Sequence, residues 1–179
     1  VSSRSSLHRY YDCEEDYDVE FKTRIVNNHN QIIFNTETVI RGNLRVVTGT
    51  ELVIKDKVYL NKNSKIIVEK GARLIIESGG KLTSYNRCSN DWKGIYVEGN
   101  GTSQPSNPYG NLLIEDAGVV ILENDAVIEN ARTGIKCYKF GQSWNTDYYG
   151  GLIVAEGASF LDCGRGVAFM PCVALPAFK

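Results

Sequence analysis

A spacing of 22 residues constrains this chain more than any other feature. Leu44 and Ile66 stand 22 apart, as do Val46 and Val68, Leu52 and Leu74, Ile54 and Ile76, and Leu60 and Leu82. Within one period the apolar residues come as alternating pairs: Leu44/Val46, Leu52/Ile54 and Val58/Leu60, then Ile66/Val68, Leu74/Ile76 and Leu82. Alternation is the pattern of a strand with one face buried. Successive pairs follow one another after a single short turn, which leaves no room for helices between strands. Three short strands per period predict a solenoid with a triangular coil, each strand pairing in parallel with its counterpart one coil later. Each coil then rises by roughly 4.8 Å. The inward Leu, Ile and Val stack as ladders, each buried side chain contributing roughly 1.5–3 kcal/mol.

The corners fit the same reading. Gly49, Gly71, Gly79 and Gly80 fall where the chain must turn, and Asn43, Asn61 and Asn63 are the next most suitable corner residues. The second half repeats more loosely. Ala126–Ile135 resembles Ala158–Val167 at an offset of 32, so one corner is expected to be extended, over 139–151. A second extension is expected near 100–110, where Pro105 and Pro108 mark a loop. Residues 1–38 do not join the 22-residue register cleanly. They are read as an N-terminal cap that covers the open strand edge of the first coil, with a strand through Val19, Phe21, Thr23 and Ile25. The solenoid is assigned to 39–179, and the apolar end CVALPAFK reads as continuing into a longer protein.

Composition narrows the function classes. Lys plus Arg is 20 and Asp plus Glu is 21, a formal charge of −1, so no global basic field points to nucleic acid as a partner. The apolar runs are a few residues long, far short of the roughly 20 a helical membrane span requires. Of the five cysteines, Cys13, Cys88, Cys137, Cys163 and Cys172, none forms CxxC or has a histidine at ligand spacing. A zinc site is not expected.

GARLIIESGGKLTS, DWKGIYVEGN (91–100), IENARTGI (128–135) and DCGRGVAFM (162–170) together resemble the right-handed parallel β-helix modules of large secreted bacterial surface proteins. Such modules are exported by the type IX route and share the pectate-lyase-like fold. The resemblance runs from about Thr38 to the end. It implies an all-β chain, three-strand coils of about 22 residues, and an extracellular or cell-surface location. It implies no activity, since a fold does not fix a function.

Enzymes of this fold supply a test. Glycosidases need paired carboxylates, and polygalacturonases carry NTD, DD, GHG and RIK motifs. Asn145-Thr146-Asp147 spells NTD, but the other three motifs are missing, and His8 and His29 are the only histidines. A lyase would need a calcium site of 6–8 oxygens and an Arg or Lys base. Arg132 and Arg165, with Asp162, are the candidates for that alternative. The favoured reading is a non-catalytic surface module without cofactor. It would act as a rigid spacer with an adhesive surface for polysaccharide or another surface protein, beside neighbouring domains of the same chain. A third possibility is an accessory domain of a larger secreted enzyme. Tyr138, Phe140, Trp144, Tyr148 and Tyr149, with Tyr109, are the ligand-binding candidates, because aromatic faces suit sugar rings and protein surfaces. The competing reading of that loop is that its aromatics fold back and pin it to the coil. Val53, Ile67 and Ile75 are outward apolar residues. They imply a covering segment, either the N-terminal region or a neighbouring domain, or else a partner.

Overall fold

The computed structural model describes residues 17–19, 30–84, 92–143 and 145–170. The chain winds as a right-handed parallel β-helix. Its first coil holds β1 (Tyr17–Val19), β2 (Asn30–Phe34) and β3 (Thr38–Ile40). The second holds β4 (Gly42–Val46), β5 (Thr50–Ile54) and β6 (Lys57–Leu60), and the third β7 (Lys65–Val68), β8 (Arg73–Ile76) and β9 (Lys81–Ser84). The fourth holds β10 (Gly94–Val97), β11 (Val119–Leu122) and β12 (Val127–Glu129). The fifth holds β13 (Ile135–Lys136), β14 (Leu152–Ala155) and β15 (Ser159–Leu161), and β16 (Val167–Ala168) opens a sixth.

Every pairing between coils is parallel. Sheet A runs β1-β4-β7-β10-β13-β16, sheet B runs β2-β5-β8-β11-β14, and sheet C runs β3-β6-β9-β12-β15. The predicted register is present, with Leu44 opposite Ile66 and Leu52 opposite Leu74. Inside the triangle, Leu44, Ile66, Ile95 and Ile135 form one ladder, and Leu52, Leu74 and Val120 another. All of these are at most 3% exposed.

The coil register reaches into the segment read as a cap. Backbone of β1 pairs with β4, and β2 pairs with β5, Ile32 opposite Leu52. That second offset is shorter than in the later coils, because the corner from β3 to β4 is tighter than the one from β6 to β7. Phe21, Thr23 and Ile25 lie outside the described residues, as do 171–179. Asn43 is not a corner residue. It sits within β4, beside Lys65 of β7, whose Nζ donates to Asn43 Oδ1 at 2.9 Å. Asn63 does turn the chain, with φ 67°.

The corner from sheet A to sheet B organises the rest. In the second and third coils it is tight, turning at Gly49 (φ 78°) and Gly71 (φ 66°). In the fourth and fifth coils the same corner opens into long excursions, one from β10 to β11 and one from β13 to β14. They are the two predicted extensions, and they leave the same corner on successive coils. The outward column of sheet B is Val53, Ile75, Ile121 and Val154, and the first excursion is tied to this sheet. Arg73 Nη2 donates to Gly110 O, and Gly71 N donates to Asp116 O at 2.8 Å, which ties the excursion across that sheet. Val53 is 2% exposed and Ile121 1%, with Ile75 half-buried. Val53 and Ile121 are thus buried within the chain.

Candidate functional site

The second excursion crosses the outer face of sheet A. There Arg45, Ile67, Tyr96, Lys136 and Ala168 form one outward column. Tyr96 is the centre of the contact. Tyr138 meets its ring edge-on with centroids 5.7 Å apart, and Phe140 does so at 5.0 Å. Ile67, one coil below Tyr96, is 4% exposed. Val53 and Ile67 are therefore buried inside the chain and do not form an open partner face.

Cations lock the excursion from several sides. Lys65 Nζ lies 4.2 Å from the Phe140 centroid. Lys70 Nζ and Lys139 Nζ lie 4.4 Å and 4.1 Å from the Tyr148 centroid. Each such contact contributes roughly 0.5–2 kcal/mol. Lys70 also donates to Asp147 O at 3.0 Å, within a one-turn 3-10 helix over Thr146–Tyr148. The Tyr149 hydroxyl donates to Ser143 O. The candidates Tyr138, Tyr148 and Tyr149 are thus half-buried pins of their own loop, and Phe140 is partly so at 39% exposed. Trp144 lies outside the described residues.

The two excursions also hold each other. Gln104 Nε2 donates to Gly150 O at 2.8 Å, and Gly99 N donates to Tyr148 O at 2.9 Å. Together they make a shelf that exposes apolar side chains among polar ones. Tyr109 is 62% exposed, Leu113 63% and Ile114 75%.

Lys136 and Tyr96 were missed by the sequence reading. They follow the inward residues Ile135 and Ile95, which marks them as outward, but the unequal coils from Ile67 to Tyr96 and from Tyr96 to Lys136 hide the column. Lys136 Nζ donates to Lys93 O at 2.5 Å and to the Tyr96 hydroxyl at 2.9 Å, and lies 4.3 Å from that ring's centroid. Burial, aided by the like charges of Arg132 and Lys93, pushes the Lys136 ammonium down to about 8. Burial pushes the Tyr96 hydroxyl up to about 12. Glu98, beside Lys139 Nζ at 3.9 Å, is raised by burial in the same region.

The lysine has a consequence for stability. Its folded value, about 8, lies below its ordinary 10.5, so between these limits the unfolded chain binds more protons. Stability from this group therefore rises with pH across that window. In thermal melts from about pH 8 to pH 10, wild type is expected to gain on Lys136→Met as the pH rises. Parallel curves would show that the amine is not held this way.

Arg132 and Arg165 both reach this neighbourhood. Arg132 acts on Tyr96 and Lys136, and Arg165 on Tyr138. The charges acting on Lys136 are all positive. Asp162 is exposed at the corner before β16, with φ 49°, on the coil above Asn130 at φ 56°. The structure thus gathers the two arginines with tyrosine and lysine, and leaves Asp162 as a turn residue. Among the described residues no group of three or more His, Cys, Asp or Glu converges as metal ligands would. No family model, curated protein or solved structure matches this chain with significance.

Proposed function

We infer that this chain is a non-catalytic, extracellular β-helix module: a rigid spacer that carries a binding surface for a glycan or another surface protein. One observation carries the reading. The two excursions leave the same corner on successive coils, brace each other through Gln104 and Gly99, and present Tyr109, Leu113, Ile114 and Phe140 outward. A preformed apolar shelf on a stiff scaffold costs little ordering entropy on binding. Exposed aromatic and aliphatic groups on the two excursions suit a partner better than solvent. The location outside the cell, and export by the type IX route, rest on the resemblance of the repeat residues.

The lyase alternative draws on a different observation, the meeting of Arg132, Arg165 and the low-pKa Lys136 beside Tyr96. The two readings separate in one experiment. The chain is incubated with neutral and acidic polysaccharides and with surface-protein extracts, and both retention and newly released sugar ends are measured. Retention without cleavage is expected, and it should fall about tenfold in Tyr109→Ala/Phe140→Ala with the circular dichroism spectrum unchanged. Unchanged retention in that variant removes the shelf from the argument, and cleavage replaces the module reading with the enzymatic one.

A further inference from the structure

The corner from sheet C to sheet A carries a second pattern, distinct from the shelf. Lys93 immediately precedes β10, Arg132 lies three residues before β13, and Arg165 lies two before β16. Backbone bonds keep these segments in line: Arg132 N donates to Trp92 O at 2.9 Å, and Gly134 N donates to Arg165 O at 2.8 Å. Three successive coils therefore each place one cation at the same corner, with a rise of roughly 4.8 Å per coil. Arg132 and Arg165 are exposed and Lys93 is half-exposed. Among the described residues none of the three forms an ion pair, whereas Arg45, Lys55, Lys57, Arg73, Lys81 and Lys139 each do. A chain of net charge −1 thus lines one edge with three cations that form no ion pair, with the exposed Asp162 the acid at the same corner.

We propose that Lys93, Arg132 and Arg165 form a track for an acidic polysaccharide lying along the helix axis. The assignment rests on the glycan-binding reading above and names the glycan's chemistry. A linear polymer with an acid group on its repeating sugar meets one cation per coil, and guanidinium groups bind carboxylate or sulfate through paired hydrogen bonds. Duplex nucleic acid fits less well, since its charges fall about 1.7 Å apart along the axis.

The test uses the whole chain with alginate (carboxylate), heparin (sulfate), dextran (neutral) and a single-stranded oligonucleotide as probes, at low and moderate salt. Binding to alginate or heparin that weakens with salt is expected, without comparable binding to dextran or the oligonucleotide at this edge. Arg132→Ala/Arg165→Ala should weaken it about tenfold or more, and Arg132→Lys/Arg165→Lys should retain part of it. Lys55→Ala/Lys57→Ala, the same loss of charge at another corner, should change it little. Equal loss in that control, no binding of either acidic chain, or stronger binding of the oligonucleotide overturns the proposal. If Tyr109→Ala/Phe140→Ala abolishes all retention while the arginine variant keeps it, the track fails and the shelf stands. If acidic-chain binding survives the shelf variant and falls with the arginines, the shelf fails and the track stands.

Discussion

Gly94→Ala is expected to cost more than any other single methyl group added to this chain, at least about 4 kcal/mol. Gly94 opens β10, the strand between β7 and β13, with φ 96°. A Cβ there would stand 1.6 Å from Thr133 O and 2.9 Å from Thr133 C. Those are backbone atoms, so no side chain can swing aside. Relief requires β13 to move away from β10, which breaks the bond from Ile95 N to Gly134 O, now 2.9 Å. Gly49→Ala is the natural comparison. Its φ is 78°, but nothing lies within 4 Å of the added Cβ, so it should cost only the left-handed strain of about 1–2 kcal/mol. Urea titrations of both variants separate clash from strain. Similar midpoints for the two would mean that β10 and β13 do not approach as described.

The second large effect is expected at Trp92. Among the described residues it is the largest fully buried side chain, 0% exposed, and its Nε1–H donates to Glu129 O at 2.9 Å. Its backbone bridges to Ala131 on the next coil. Truncation to alanine leaves a cavity where sheet C turns into sheet A and should cost about 3–5 kcal/mol. Trp92→Phe keeps much of the volume but leaves the Glu129 carbonyl unpartnered, at about 1–3 kcal/mol. Calorimetric melts of the two variants give the order. A phenylalanine variant as unstable as the alanine one would assign the effect to the hydrogen bond rather than to packing.

The coils were readable in the sequence because stacking forces repetition. Leu44 and Ile66 must share a ladder, so they share a spacing, and Gly49 and Gly71 turn the same corner. The first coil escaped because its corner from Ile40 to Leu44 is tighter than the one from Leu60 to Ile66. A comb set to the later spacing therefore passes over the pairing of Ile32 with Leu52. Asn43 misled because the amide that suits a corner also suits a ladder partner for Lys65. The site was less legible for a physical reason. Alternation within a strand says which residues face outward, but not which loop will lie across them. For Val53 and Ile67 the alternation called for a cover but could not name it. Tyr138 and Tyr148 could be read either as open platforms or as pins of their own loop, and lysines and Tyr96 occupy their faces. Lys136 became recognisable only when the fold placed it above Tyr96.

Unequal coils give the molecule an uneven response to tension. The step from Leu44 to Ile66 on sheet A is a plain coil, whereas the steps from Ile95 to Ile135 and from Ile135 to Val167 each include an excursion. Each step nonetheless rises by one strand. Pulled from its ends, such a chain peels coil by coil, because each coil is held only to its neighbours. At roughly 3.3–3.6 Å per extended residue, the coils with excursions would release up to nearly twice the length of the plain ones. The shelf that marks the fourth and fifth coils is thus also a store of slack in an otherwise stiff stack.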